Sequence, residues 1–218
     1  ISTEFYESEP LFQLNIGGIS NFYEIFPLAI LGLLSALVAS LYMRGLTGFL
    51  PIPKKIPIFF LPIIAGSICG VVGLFYPELL GLGTGTIRLL IEQPHSLVYI
   101  AILLLGKLLL TVVCIRFSLF GGIFSPALFI GVMTGAIFSI ITSYVFPEIN
   151  YSLLTVAGMA AVTSCVIGGP ISTILIIFEL TSDYQVALGA GISVCFANLL
   201  SSRIYGHSAF DQILMNRN

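Results

Sequence analysis

Gly121-Gly122-Ile123-Phe124-Ser125-Pro126 lies inside a segment, Phe117 to Pro147, that contains no Asp, Glu, Lys or Arg. Two glycines and a proline therefore interrupt what otherwise reads as a membrane-spanning run. Lipid offers the backbone no hydrogen bonds, so irregular backbone at membrane depth survives only where protein buries it or where it lines a wet cavity. A helix that restarts there points its N-terminus at the cavity. That end carries free N–H groups and partial positive charge, and it attracts anions. The stretch predicts an anion site inside a bilayer. A simple packing kink, with the glycines against another helix, is the alternative.

Composition supports the bilayer. Of 218 residues, 57% are hydrophobic and 8% charged, and the mean hydropathy is +1.09. Soluble domains carry about a quarter charged residues. The formal net charge of −2 and eight scattered Lys and Arg make no basic face for nucleic acid. Cys69, Cys114, Cys165 and Cys195 all fall in apolar runs without metal-ligand spacing, so they read as small buried hydrophobes and no metal is expected. Ile1 follows no Met or basic leader and reads as an internal position.

Working outward from the motif, Ile25–Met43, Ile56–Pro77, Leu97–Ile115, Ile149–Phe178 and Tyr184–Ser202 are further apolar runs, charge-free apart from Lys107. The longest exceed what is needed to cross about 30 Å of hydrocarbon. Breaks at 81–85, 121–126 and 168–170 divide them. Several such breaks predict the discontinuous helices of a transporter or channel. The basic loop with Arg44, Lys54 and Lys55 predicts a cytoplasmic side, with the acidic start, Glu4 to Glu9, opposite. The expected fold is all-α: a polytopic transmembrane protein with discontinuous, tilted helices.

Within the motif, Gly121 and Gly122 allow backbone to approach an ion closely. Pro126 occupies a first-turn position whose N–H would lack a partner anyway. The amides of Ile123, Phe124 and Ser125 are then the anion donors, and Phe124 supplies an apolar wall. Lys107 and Glu179 are the ionisable residues most deeply set in apolar sequence. Intramembrane charge is costly and is a functional candidate by default. Lys107 also has the reach to snorkel to an interface. Glu179 opens Glu-Leu-Thr-Ser-Asp at a helix end, where capping or a structural hydrogen bond is favoured over proton transfer. Arg116 marks either a vestibule or the membrane edge. His95 and His207 read as solvated loop residues. Gly81 to Gly85 lacks the lysine and preceding strand of a phosphate loop. Neither paired carboxylates nor a Ser-His-Asp order emerges, so no enzyme is expected.

The motif resembles the GxFxP block of the chloride channel and chloride–proton antiporter (CLC) family. Gly106-Lys107 with Thr111 fits the helix before it. Ala157-Gly158-Met159-Ala160-Ala161, Gly169-Pro170-Ile171-Ser172 and Phe178-Glu179-Leu180-Thr181 follow in the family's order, then His207-Ser208-Ala209-Phe210-Asp211. The resemblance implies that residues 1–218 form a single transmembrane domain, the C-terminal repeat of an inverted-repeat fold whose N-terminal repeat is absent here. It implies that the amides of Ile123 and Phe124 hold a central chloride, and that Lys107 acts structurally or electrostatically near the anion path. It places Phe210 where the family usually has a tyrosine whose hydroxyl contacts that chloride, a departure that removes one donor. Chloride without a cofactor, protons in the antiporters, a multi-pass protein of the plasma or inner membrane, a homodimer contacting through the helices at 171–178 and 186–199, and dependence on an N-terminal half carrying the gating and proton glutamates are implied in the same way. The rival readings are a secondary transporter of another solute and an intramembrane enzyme.

Overall fold

A computed structural model describes residues 22–49, 57–117, 119, 121–146 and 149–204. It matches the expected all-α class, and no strand occurs among the described residues. The helices are α1 (Ile25–Arg44), α2 (Leu61–Phe75), α3 (Thr84–Glu92), α4 (Leu97–Arg116), α5 (Phe124–Ser143), α6 (Tyr151–Ile167), α7 (Pro170–Thr181) and α8 (Tyr184–Ile204). Four are long and apolar enough to cross a membrane: α1 with its continuation to Gly48, α4, α5 and α8. Shorter apolar helices, α2, α6 and α7, stand among them, as the divided hydropathy pattern predicts.

The breaks fall where the residues demand them. Gly168 stands in the left-handed region at φ 77° and ends α6, and its N–H donates to the Ser164 carbonyl. That conformation costs an L-residue with a Cβ but not glycine. Pro170 then opens α7, where a missing N–H does no harm. Asn150 caps α6, its side-chain oxygen accepting from the amides of Ser152 at 2.9 Å and Leu153 at 3.4 Å. Asp183 does the same for α8, accepting from Gln185 at 2.8 Å and Val186 at 3.3 Å.

The core is built around α6. Every residue from Leu153 to Val166 is buried, so this helix meets protein on all sides. It packs on α5, α8 and α1. A Cβ added to Gly158 of α6 would meet the backbone of Gly131 and Gly135 of α5, and one added to Gly135 would meet the backbone of Leu154 and Thr155. Small residues four apart let two helix backbones approach closely, which in lipid is a main source of helix association. Polar side chains join the other seams. Ser193 of α8 donates to the Leu28 carbonyl of α1 at 2.7 Å, and Asn198 of α8 donates to the Ser164 hydroxyl at 2.6 Å.

Candidate functional site: a helix N-terminus on a cavity

The motif ends in a helix start. α5 begins at Phe124, with Ile123 as its flanking residue, and the Ala127 N–H donates to the Ile123 carbonyl at 3.2 Å. The amides that open a helix have no intrahelical acceptor. Here they belong to Ile123, Phe124 and Ser125, since Pro126 has none. Among the described residues no side chain caps this end. Pro126 therefore lies inside the first turn rather than ahead of it.

A cavity of about 490 Å³ adjoins this turn. Gly121, Gly122, Ser125 and Pro126 line it on one side and Lys107, Thr111 and Cys114 of α4 on another. Open space lies where a side chain on Gly121 or Gly122 would project. A Cβ there would enter that space, which is the physical sense of glycine at these two positions. Ile123 and Phe124 are not among the lining residues. Ile123 packs against the cluster that holds Ala127 and Ile130, and Phe124 is 37% exposed.

Lys107 is buried, and its ammonium is occupied by protein. Nζ donates to the carbonyls of Leu79 at 2.9 Å and Gly81 at 2.8 Å, and stands 4.8 Å from the centre of the Phe129 ring. Ser125 Oγ donates to the neighbouring Leu82 carbonyl at 3.3 Å. Donors on α4 and α5 thus hold three carbonyls of the loop that leads into α3. Gly81 and Gly83 turn that loop with φ of 62° and 67°, and a Cβ on Gly83 would run into the Phe129 ring. Lys107 is therefore a pin that fixes the cavity wall and brings one positive charge to it. It does not snorkel to an interface.

The other candidates lie apart. Glu179 is exposed on α7 and outside the cavity lining. In its Glu-Leu-Thr-Ser-Asp stretch the capping falls to Asp183 instead. Arg116 ends α4 and donates to the Thr47 carbonyl at 3.3 Å. His95 is exposed and stacks on Tyr99. Phe210 and His207 lie outside the described residues. The cysteines divide. Cys165 is buried, Cys195 is exposed, and Cys69 and Cys114 are half-buried with their sulfurs 3.1 Å apart. Burial as small hydrophobes describes Cys165 alone.

The family model described as Voltage gated chloride channel matches residues 1–202. The chain belongs to the voltage-gated chloride channel family. Among curated relatives, the H(+)/Cl(-) exchange transporter ClcA of Citrobacter koseri is 29% identical over 151 residues, covering 68% of this chain and 32% of that protein. The Vibrio cholerae transporter of the same name is also 29% identical over the same shares. The chain thus spans about a third of the length of the curated relatives it matches. Its fold is that of a slow cyanobacterial Cl−/H+ antiporter, with a TM-score of 0.87 and 22% identity over 96% of this chain and 51% of the other. A eukaryotic CLC transporter superposes with a TM-score of 0.74 at 22% identity, over 91% of this chain and 36% of that one. With its apolar helices, this member of the voltage-gated chloride channel family is an integral membrane protein.

Proposed function

We propose that the chain forms part of a chloride path across the membrane, with the first turn of α5 as its anion-binding element. One observation carries the reading: the uncapped start of α5 adjoins a cavity bordered by the glycine pair and the buried Lys107. The donors are the amides of Ile123, Phe124 and Ser125, Gly122 leaves room for the ion, and Lys107 sets a positive wall. Oriented amides replace part of the hydration shell without a full counter-charge at contact, so the ion binds and still leaves. The relatives named as H(+)/Cl(-) exchangers support chloride with proton coupling.

The site is completed by groups outside this chain, supplied by an inverted-repeat partner half. The working unit is a homodimer in the plasma or inner membrane. Its contact uses α7 and α8, whose Ile171, Leu175, Leu188 and Leu199 are exposed apolar residues. Cysteines placed at these positions should cross-link two copies, and their failure to do so at every position would count against the dimer.

The test of function is chloride flux from liposomes that hold the full-length protein. Phe124→Gln should change flux or halide preference, because it replaces the first residue of α5, which carries one of the proposed donor amides. Unchanged flux with unchanged preference would overturn the assignment.

A second variant probes the hydroxyl donor that the family's usual tyrosine would supply. If Phe210 stands where a tyrosine would reach the chloride, Phe210→Tyr adds one hydroxyl donor. A hydrogen bond to a charged group is worth about 1.5–3 kcal/mol. A water already there would recover part of it. Calorimetric titration should therefore show chloride binding tightened by up to roughly a hundredfold. Weaker or unchanged binding would remove Phe210 from the site.

A further inference from the structure

We infer that Cys69 of α2 and Cys114 of α4 are a thiol-oxidation site, which a hydroperoxide converts to a disulfide across the cavity. The two Sγ atoms stand 3.1 Å apart, and both residues are free thiols. Both line the cavity that adjoins the motif, so a small neutral oxidant has a route to them. A disulfide needs about 2.05 Å between sulfurs, so the pair must close by about 1 Å.

The packing allows that movement. α2 buries only Leu61 and Ala65. Gly66 and Gly70, which flank Cys69 on α2, have open space where a side chain would stand. α4 is the firmer partner, with Leu103, Lys107, Leu108, Leu110, Thr111 and Val112 buried. A bridge would therefore draw α2 onto α4 and fix the width of the cavity at this wall.

The chemistry balances with the oxidant alone. One sulfur attacks the O–O bond of hydrogen peroxide, becomes a sulfenic acid and releases one water. The second sulfur displaces the hydroxyl of that sulfenic acid and releases another. Each thiol gives up one hydrogen, and the two electrons reduce the peroxide to two waters. A dithiol reductant reverses the step by exchange.

Cys165, which is buried, and Cys195, which lies on α8 within the proposed dimer contact, are internal controls. The purified full-length protein is treated with hydrogen peroxide, alkylated, digested and read by mass spectrometry. Alkylation of Cys69 and Cys114 should fall together by roughly tenfold or more, with a linked Cys69–Cys114 peptide appearing and a dithiol reductant restoring both. Cys195 should remain alkylated. Cys69→Ala should abolish the linked peptide and leave Cys114 trappable as a sulfenic acid by a dione reagent.

Independent alkylation of the two thiols after peroxide would overturn the proposal, as would two unmodified thiols or a bridge from either one to Cys195. The linked peptide is read without reference to transport. The effect on flux does rest on the proposed chloride path. A bridge that forms and leaves flux unchanged keeps the oxidation site and counts against that cavity as the path.

Discussion

Lys107→Met should destabilise the protein more than any change to the motif itself. The variant keeps the apolar stem and deletes the ammonium. Two loop carbonyls, Leu79 and Gly81, lose their donor in a buried setting, and the contact with the Phe129 ring goes too. A hydrogen bond to a charged group contributes about 1.5–3 kcal/mol, and a cation over an aromatic face about 0.5–2. Removing a buried charge returns part of its desolvation cost, so a net loss of about 3 kcal/mol is expected. The measurement is thermal unfolding in detergent, followed by size-exclusion chromatography. Lys107→Arg should retain much of the stability, because it keeps donors within reach of the same loop. A Met variant as stable as the parent would mean that the loop holds itself and that Lys107 is no pin.

Gly158→Val should be the second severe change. A Cβ at this position would lie 2.7 Å from the Gly135 nitrogen and 2.9 Å from the Gly131 oxygen. These are backbone atoms of α5 and have no rotamer by which to yield. Overpacking a core costs about 1–3 kcal/mol when side chains can shift, and here α5 must move as a body. Its first turn would move with it, away from the cavity wall held by Lys107. Gly158→Ala should show a milder form of the same loss. Gly70→Ala, with open space around it, should leave the thermal midpoint unchanged or slightly raised. Equal stability for Gly158→Val and the parent would show that α5 and α6 pack less closely than the structure has them.

Much of this fold was legible in the sequence, because glycine, proline and charge act locally. The breaks at 81–85 and 168–170 were readable for that reason, and so was the start of α5, within a turn. The spacing Gly131-x-x-x-Gly135 was a signal in plain view for a tight helix contact, but only the fold supplies Gly158 as its counterpart. Lys107 was visible as a buried charge while its partners were not, since they lie 26 and 28 residues away and are backbone oxygens with no side-chain signature. Cys69 and Cys114 are 45 residues apart, and nothing in their spacing brings them together. Glu179 shows that apolar neighbours in sequence do not imply burial, since it is exposed on α7. Its helix face is an outer one, while Lys107 on α4 faces inward.

The burial of α6 from Leu153 to Val166 has a consequence for how the protein is made. This helix is 17 residues long, about 25 Å at 1.5 Å per residue, against a hydrocarbon core of about 30 Å. It carries Thr155, Thr163 and Ser164, and the hydroxyl of Thr163 has no partner among the described residues. Its surface is matched to protein, since it is packed against α1, α5 and α8. It must enter the bilayer in the company of α1 and α5, synthesised before it, and remain incompletely housed until α8 arrives from the ribosome. Nascent chains halted before α8 should therefore keep α6 accessible to the quality-control proteases of the membrane, and chains that include α8 should not.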